Sequence, residues 1–598
     1  LYDPGRSKHI LFNGNPASED EFRGAFSSWS RNLRDGGGIG LLLPPSASPL
    51  LHSMLEEITR KNSLVRIYRY SPVPEPGSGM QAGLPEVRFR VRFARSRRIL
   101  SLDCDFLHQN PYGNTRDFIA SRSPEGLYYK EENRNRTRLY AVEGRVSLTG
   151  AHADHRLPVP PARLAFFLEE LFRYLSSKKN SGQTLPPPRR TDHPLTEREL
   201  NWLRHCADDL FSHPGESVVL LGDNHPELSG IAWKLNCLLG SMGTCIQLLK
   251  APRPTPYGTL DDLVRDIRGK KVEIVFLLDV GNPVLDSGHS SGLSEALKKV
   301  ESIHLGMYKD ETSRVCRWHL PAAHFLESWG VERDYRGRFC YRQPVILPLY
   351  GGISPEEVLS GLLSSKGHLS TADNSPTHLS PVYHRARKCF ERAVNPENKT
   401  AAWAQALQRG YSEETALGTA MMQTPAAPFG GHGKKLGTGM LELQFHPDYS
   451  IGDGRWKRNA WMQECPDPIT GVSWAASAQV SPATFLRLGG SDSWPMHCTL
   501  TAPSTQMEVI LCPIPGVADN LIILPLGYGG INHVAERQEN SGGYELRRQV
   551  EKTEAYGIAP EQIALSALRE RTEAIQSPVV QPAPFSLHPG PSRVPPPP

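Results

Sequence analysis

The alternation of apolar and polar residues is clearest in the middle of the chain. The mainly apolar stretch at residues 272–279 predicts a buried strand, and a tight turn at 280–283 follows it. A short helix at 293–300 and a second predicted strand at 302–306 complete a strand, helix, strand unit that leads into a Glu311-Thr312 turn. Loops at the carboxyl ends of parallel strands are where such sheets bind ligands, so this unit is predicted to organise the chain.

The remaining pattern divides the chain into six regions. Strands alternate with helices before and after a proline-rich stretch, which predicts an α/β chain of mostly parallel sheets flanked by helices. Short strands with turns between them predict a small C-terminal β-barrel. The predicted regions are a first α/β domain at 1–175, a linker at 176–192, a second α/β domain with the Gly-Asn-Pro turn at 193–363, a connector and helical segment at 364–438, a barrel domain at 439–548 and a proline-rich tail, extended or disordered, at 549–598.

Capping residues place two helix starts in the first region. Ser18 stands directly before Glu19, and Ser48 stands directly before Pro49. A serine hydroxyl at such a position accepts a hydrogen bond from the first turn, and proline suits that turn. We therefore predict helices at about 19–33 and 49–60.

Composition narrows the possible functions. A chain of 598 residues is too long for one hydrophobic core, so three or four domains are expected. The 67 basic and 63 acidic residues leave a formal net charge of +4, which is too balanced to favour nucleic acid binding. No stretch approaches 18 consecutive apolar residues, so no membrane span is predicted. The sequence starts at Leu1, and no signal peptide can be read from it.

The ten cysteines are scattered, and none forms a C-x-x-C pair. Iron–sulfur clusters and structural zinc sites need closely spaced cysteines. We therefore predict no cluster and no metal site in this chain, and we interpret the cysteines as small buried apolar residues.

Other residue groups are candidates for chemistry: a thiol as a molybdenum ligand, histidines near a carboxylate as metal or haem contacts, and histidines beside acids as a hydrolase site. These groups are Cys104 and Cys206; His152, Asp154 and His155; and His304, His319 and His324 with Asp310 and Glu311. No nucleophile elbow accompanies them. We favour the structural interpretation of each group, as buried thiols or polar loops.

Several segments, taken in order, resemble one family. They are LYDPGRS at 1–7, LSLDCDFL at 100–107, TGAHADHRLP at 149–158, HLGMYKDET at 304–312, QPVILPLYGG at 343–352, FHPDYSIGDGR at 445–455 and LGYG at 526–529. This ordered set is similar to the large B subunit of the bacterial alternative complex III, a quinol:cytochrome c (or blue-copper protein) oxidoreductase. The central unit also resembles the third domain of molybdopterin oxidoreductases, where a G-x-N-P turn and an E-T-A segment line the pterin dinucleotide.

The resemblance implies a molybdopterin-oxidoreductase-like multidomain fold that carries no cofactor. It implies neither a catalytic residue nor a metal ligand in this chain. The residues that match the vestigial dinucleotide pocket are Gly281, Asn282, Pro283, Glu311, Thr312, Gly527, Tyr528 and Gly529.

The resemblance also implies partners and a location. The partners would be a ferredoxin-like iron–sulfur part or subunit, a multihaem cytochrome c, a monohaem cytochrome c and polytopic quinol-binding membrane subunits. The cysteine-rich part of the family has no match in this sequence, so clusters and c-type haems are expected on partners or on a missing part. The complex would hold this chain peripherally on the periplasmic side of the bacterial inner membrane.

The expected function is therefore that of a non-catalytic structural subunit in a membrane-associated quinol-oxidising electron-transfer complex. One alternative is a catalytic molybdopterin-dependent oxidoreductase subunit that retains its cofactor. A second alternative is an unrelated multidomain α/β binding protein. The sequence names neither the quinol nor the electron acceptor.

Overall fold

The structure is a computed structural model of the whole chain. It describes residues 1–81, 87–109, 112–113, 115–122, 136–179, 195–251, 256–288, 291–364, 369, 380–420, 439–491, 495–502, 505–531, 538–539, 543–552 and 557–567. In these ranges the chain forms two α/β sheets and a barrel-like third sheet.

The first sheet has seven strands, and the five from Trp318–Pro321 to the edge strand Arg66–Arg69 run parallel. All five residues of Ile274–Leu278, the middle strand of these five, are buried, as expected for a sheet covered on both faces. In spatial order the strands are Asn15–Pro16, Leu11–Phe12, Trp318–Pro321, Glu301–Gly306, Ile274–Leu278, Ile39–Leu43 and Arg66–Arg69.

Helices pack on both faces of the first sheet and bury its aliphatic and aromatic core. The two predicted helix starts are confirmed, since the Ser18 hydroxyl accepts from the Glu21 backbone and the Ser48 hydroxyl accepts from the Leu51 backbone, each at 3.2 Å. The helices of this unit are Glu19–Arg34, Pro49–Lys61, Leu260–Arg268, Pro283–Asp286, Leu293–Leu297, Glu311–Val315, Pro355–Leu363, Pro381–Val394 and Lys399–Arg409.

The second sheet has four parallel strands with a separate core. In spatial order they are His155–Pro158, Arg138–Glu143, Arg98–Leu102 and Ser217–Leu221. Its helices are Ser78–Gln81, Phe106–Gln109, Thr115–Ala120, Leu148–Ala151, Pro161–Lys179, Glu197–Phe211 and Ser229–Leu238. The helix that ends at Lys179 runs into the region predicted as a linker from residue 176.

The two sheets cross the predicted division at residues 176–192. Ile39–Leu43 of the first region pairs with Ile274–Leu278 of the second, whereas Arg98–Leu102 of the first region pairs with Ser217–Leu221 of the second. The first sheet is thus assembled from both ends of the α/β part, and the second sheet is inserted between them. Long-range pairing of this kind leaves no mark in a local apolar pattern.

The C-terminal sheet has seven strands of mixed direction and is nearly closed. Its edge strands are consecutive in the chain and are joined by residues 559–562, so the two edges lie near each other. In spatial order the strands are Gly557–Ile558, Leu441–Pro447, Leu521–Leu526, Ser477–Val480, Thr505–Pro513, Met496–Ala502 and Ile563–Ala567. Its helices are Ala460–Glu464, Pro482–Arg487 and Gly543–Lys552.

The C-terminal sheet extends beyond the predicted barrel end at residue 548. Both edge strands lie at 557–567, within the stretch predicted to be an extended or disordered tail. A two-residue and a five-residue strand are too short to stand out in the apolar pattern. Residues 568–598 of the predicted tail lie outside the described residues.

Three small antiparallel sheets complete the fold. Ile246–Lys250 pairs with Val87–Val91; Gly330–Arg333, Phe339–Arg342 and Tyr411–Ser412 form one ladder; and Gly530–Ile531 pairs with Gln538–Glu539. Among the described residues, no helix is both long and apolar enough to cross a membrane.

Candidate functional site

The carboxyl edges of the two parallel sheets are built alike. The central strand Arg98–Leu102 is followed by Asp103, and the central strand Ile274–Leu278 is followed by Asp279. Both aspartates have left-handed backbones, with φ of 47° and 52°. Aspartate tolerates this conformation better than most residues, and such backbone turns occur often at ligand sites. The two edges are therefore the places to look for function.

At the first-sheet edge, the predicted Gly-Asn-Pro turn meets the predicted Glu-Thr segment. The Asn282 amide donates to the Glu311 carboxylate, and its oxygen accepts from the Thr312 hydroxyl at 2.8 Å. The Thr312 hydroxyl in turn accepts from the Val284 backbone at 3.2 Å. The Glu-Thr segment is the start of a short helix, Glu311–Val315, rather than a turn, because Asp310 caps it through the Ser313 backbone.

The predicted Gly527-Tyr528-Gly529 segment reaches the same edge through the barrel. The Lys457 ammonium donates to the Gly529 carbonyl at 2.7 Å, and the charge of Glu311 acts on Lys457. A Cβ on Gly527 would lie 2.6 Å from the Gly454 nitrogen, so only glycine fits this close backbone contact. The Tyr528 hydroxyl donates to the Asp448 carboxylate. The predicted pocket residues thus surround one seam between the barrel and the first sheet.

That seam holds an excess of acidic groups. Burial raises the pKa of Asp310 to about 7 and raises the pKa of Asp286 well above its usual range. Burial also lowers the pKa of Lys457 and of Arg458, although the same carboxylates oppose this shift. The Arg458 guanidinium donates to the Lys309 carbonyl at 2.9 Å and thereby joins the barrel to the first sheet.

Asp279 lies two residues before Gly281 at the same sheet edge. Its side chain is exposed, yet desolvation by the surrounding protein raises its pKa to about 6 against the opposing charge of Arg455. An exposed carboxyl that is poorly hydrated is expected inside a crevice rather than on an open surface. Arg342 also faces Asp279, together with Glu356, and desolvation raises the pKa of the nearby Glu332 to about 7.

The second-sheet edge is filled by the protein's own side chains. His225 Nε2 lies 2.8 Å from the Asp103 carboxylate, and the Gln444 amide of the barrel donates to the same carboxylate oxygen at 2.9 Å. His225 and Gln444 are buried, and so is the side chain of Asp103. Burial alone would lower the pKa of His225, but its contacts with Asp103 and Glu227 raise it to about 9. Asp103 and His225 are therefore an ion pair at neutral pH, and the pKa of Asp103 is lowered.

A second network extends this closed edge. The Asp105 carboxylate accepts from the Thr149 hydroxyl and from the Tyr449 hydroxyl, each at 2.8 Å. The Arg145 guanidinium lies 3.4 Å from Asp105 and donates to the Tyr449 oxygen at 3.3 Å. Burial alone would raise the pKa of Asp105, but Arg145 and these hydrogen bonds lower it. Tyr449 belongs to the barrel, so both networks hold the barrel against the second sheet.

The histidines proposed as acid–base candidates form a buried relay instead of a cleft. His319 Nε2 lies 2.6 Å from the Ser7 hydroxyl, and its Nδ1 lies 3.0 Å from Nδ1 of His304. Burial lowers the pKa of His304 to about 4 and that of His319 to about 2, so both rings are neutral. His324 Nδ1 accepts from the Leu326 backbone and caps a short turn.

The other candidate groups are dispersed. Cys104 and Cys206 are buried, and desolvation raises the pKa of both thiols, which disfavours a thiolate ligand. Asp154 pairs with Arg122 at 2.5 Å, and the His155 ring stacks on Tyr140. Within the part of the chain that the structure describes, no group of three or more His, Cys, Asp or Glu side chains is placed to hold a metal ion.

The comparisons with known proteins bear on the fold. No protein-family model and no curated protein matches this chain. Among solved structures, acetylene hydratase from Pelobacter acetylenicus is similar, with a TM-score of 0.59, 13% identity and coverage of 88% of this chain and 87% of that chain. The fold of this chain is therefore similar to that of this protein, which has a molybdopterin oxidoreductase fold. This likeness concerns the fold alone, because the sequences differ at most positions.

The two sheet edges of this chain differ in the room that they leave for a molybdopterin dinucleotide. Asp103, His225 and Gln444 fill the second-sheet edge with an interlocked hydrogen-bond network. Gly281 leaves room at the first-sheet edge, since a Cβ there would meet no atom within 4 Å. The cations at this edge, Lys457 and Arg458, nevertheless donate to protein carbonyls instead of facing the place where the phosphates of such a ligand would lie.

Sequence reasoning missed the partners that fill or line these edges, namely His225, Arg145, Gln444, Tyr449 and Lys457. One local signal was available: an aspartate stands directly after the buried strand in Ser-Leu-Asp and in Leu-Leu-Asp. Polar residues at that position of a parallel strand face the ligand edge.

Proposed function

We propose that this chain is a non-catalytic, cofactor-free structural subunit of a membrane-associated quinol:cytochrome c (or blue-copper protein) oxidoreductase. It would hold an iron–sulfur ferredoxin-like part or subunit, multihaem and monohaem cytochromes c, and polytopic quinol-binding membrane subunits close enough for electron transfer. Its place would be peripheral, on the periplasmic side of the bacterial inner membrane. The ordered resemblance of seven segments to the B subunit of alternative complex III supports this proposal.

The observation that carries the cofactor-free reading is the closed second-sheet edge. Ligands of doubly wound sheets bind outside the carboxyl ends of the strands. At this edge the Asp103–His225 pair is buried, and a barrel side chain, Gln444, completes it. A ligand would have to break this ion pair and leave a buried charge without its partner, which costs about 3 to 5 kcal/mol.

The acidic seam at the first-sheet edge supports the same proposal. Asp286 and Asp310 face Lys457 and Arg458 of the barrel. These cations are already engaged by protein groups, since Lys457 holds the Gly529 carbonyl and Arg458 holds the Lys309 carbonyl. The basic groups that would attract a phosphate are thus used to join the barrel to the sheet.

The metal content of the purified chain tests the cofactor-free part of this proposal. Molybdenum and iron are measured by mass spectrometry, and pterin is measured by fluorescence after acid oxidation. We expect both metals and pterin to be far below one per chain. Near-stoichiometric molybdenum with pterin would contradict the proposal.

Membership of the complex needs a second measurement. A tagged chain is purified from its native membranes, and haem and iron are quantified in the eluate. We expect haem and iron in the eluate, carried by other polypeptides that separate from this chain under denaturing conditions. An eluate with neither haem nor iron would reject the structural role and favour an unrelated binding protein.

The second candidate is a catalytic molybdopterin-dependent subunit that retains its cofactor. The open crevice at Asp279 and Gly281 favours it, because this edge has accessible space. A chain that gains molybdenum and pterin when produced in a host able to make the cofactor, and loses both when Gly281 is replaced by a bulky residue, would support this candidate.

A further inference from the structure

A 29-residue excursion of the barrel carries an unusual set of exposed tryptophans. It comprises residues 448–476, between the strands Leu441–Pro447 and Ser477–Val480, and is named the Trp lobe here. Trp456, Trp461 and Trp474 are 43%, 83% and 41% exposed. The other tryptophans that the structure describes are buried or half-buried: Trp29, Trp202, Trp233, Trp318, Trp329 and Trp403.

The Trp lobe is rigid where it presents these rings. The Asn459 side chain accepts from the Trp461 backbone at 3.1 Å and caps the helix Ala460–Glu464. The Trp474 indole donates to the Glu464 carboxylate at 2.7 Å. Trp474 also has a left-handed backbone, with φ of 62°, which is strained for a bulky residue. Strain of this kind clusters at functional sites, and a ring that is already held in place, as that of Trp474 is, loses little entropy on binding.

Exposed, preorganised tryptophans favour one class of ligand. Aromatic-lined surfaces bind proline-rich segments, because a polyproline II helix is stiff and has no internal hydrogen bonds to lose. The indole N–H of such surfaces often contacts a ligand carbonyl. An anionic membrane surface is disfavoured, since the exposed carboxylate of Glu464 lies beside the Trp474 ring.

The chain itself contains a matching segment at residues 577–598. Nine of these 22 residues are proline, and Phe585, Leu587 and Val594 add apolar contacts. Arg593 is the residue in this segment whose side chain carries a full charge at neutral pH, and Val594 separates it from four prolines. Its positive charge complements the exposed carboxylate of Glu464 on the Trp lobe.

The segment can reach the Trp lobe. The strand directions place the end of Leu441–Pro447, from which the lobe starts, at one end of the barrel and Ala567 at the other. A seven-residue strand spans roughly 23 Å. Residues 568–576 connect Ala567 to the proline-rich segment and span at most about 30 Å when extended. The connection is therefore long enough to return along the barrel.

We propose that residues 577–598 bind to the Trp lobe of the same chain, with the prolines against Trp456, Trp461 and Trp474 and with Arg593 near Glu464. This docking would cover the exposed tryptophans and would brace the barrel from one end to the other.

Fluorescence anisotropy tests this proposal directly. A labelled peptide of residues 577–598 is titrated with a chain that ends at residue 576. We expect saturable binding, and we expect Trp461→Ala to weaken it at least about tenfold, as for a tryptophan at an interface centre. Leu486→Ala is the matched control, because Leu486 is 61% exposed on the barrel but lies outside the lobe. A second peptide with all nine prolines replaced by alanine should not bind.

Occupancy within one chain has its own readout. Acrylamide should quench the tryptophan fluorescence of the full chain less than that of the shortened chain, and the full chain should bind the peptide more weakly. Equal quenching of both chains, or equal peptide binding by the wild-type and Trp461→Ala forms, would overturn the proposal. Loss of co-purified haem from Trp461→Ala, with no effect of the tail, would assign the lobe to a partner subunit and overturn it as well.

Discussion

The two sheet edges share one backbone feature and differ in the groups that contact it. Each central strand ends in a left-handed aspartate, Asp103 in the second sheet and Asp279 in the first. Asp103 is paired with His225 and sealed by Gln444, and its pKa is lowered. Asp279 stays exposed, and desolvation raises its pKa. An aspartate in the same backbone conformation is therefore a structural anchor where a histidine and an amide contact it, and an exposed group where they do not.

The largest effect on stability is expected from a substitution of Asp103. Asp103→Asn keeps the left-handed backbone but removes the carboxylate at 2.8 Å from the buried His225 and leaves only the 3.7 Å contact with Glu227. We therefore expect a loss of about 3 kcal/mol in the free energy of unfolding. Denaturant unfolding measures it. Asp279→Asn is the matched control and should leave stability unchanged or raise it, because the folded state disfavours the Asp279 carboxylate. Equal losses at the two positions would mean that both edges are structural anchors.

The pH dependence of stability sharpens the same contrast. Because the pKa of His225 is raised to about 9, its stabilisation is complete below the unfolded pKa of about 6.5 and is lost as pH rises through 9. The stability difference between wild type and His225→Gln should therefore shrink, by an amount on the order of 3 kcal/mol, between pH 6.5 and 9.

Asp279 should show the opposite sign in a different pH window. Its raised pKa, about 6, makes its ionisation unfavourable in the folded state, so wild type loses stability as pH rises from about 4 to 6. Asp279→Asn should remove that loss.

A stability difference between wild type and His225→Gln that stays constant with pH would show that the closed edge holds no ion pair.

A smaller effect is expected where the barrel backbone meets itself beside the open edge. Gly527→Ala would place a Cβ 2.6 Å from the Gly454 nitrogen at a φ of 99°, so we expect a loss of about 2 kcal/mol or more in thermal or denaturant unfolding. Gly410→Ala is the control, because Gly410 has a φ of 79° but no atom within 4 Å of a Cβ. It should cost about 1 kcal/mol.

The smallest effect on stability is expected from two tyrosine hydroxyls that donate to carboxylates of different burial. Tyr449→Phe removes a hydrogen bond to the buried Asp105 and should cost about 1 to 2 kcal/mol. Tyr308→Phe removes the 2.8 Å bond to Asp3, a half-buried carboxylate on the first-sheet side, and should cost less. Chemical denaturation of the two variants in parallel checks the order. A larger cost for Tyr308→Phe would reverse the assignment of the tightly closed edge.

Much of the secondary structure could be predicted from the sequence, because its signals are local. Continuous apolar runs mark the buried strands, and Ser18 and Ser48 mark helix starts by a hydrogen bond within their own turn. The predicted βαβ unit is present as Ile274–Leu278, Leu293–Leu297 and Glu301–Gly306. The edge strands at 557–567 were missed, since they are defined by pairing with distant barrel strands rather than by their own pattern.

The candidate site was predictable in part for the same reason. The family resemblance pointed to Asn282, Glu311 and Thr312, and the structure brings their side chains into one network. The fillers of the second edge come from far along the chain, since Asp103 meets both His225 and Gln444. No spacing rule relates residues from a strand end, a loop and a barrel strand, so these contacts required the fold.

The strand order of the first sheet determines when its strands can pair during synthesis of the chain. Ile39 pairs with Ile274, so the amino-terminal strand must wait until more than two hundred further residues have been synthesised. At a ribosome speed of about 5 to 20 residues per second, that wait lasts roughly 10 to 50 s. During this time an apolar strand lacks one of its two neighbours, while the four strands of the second sheet can already assemble. Chaperone binding to the nascent amino-terminal segment is therefore expected to be part of how this chain reaches its folded state.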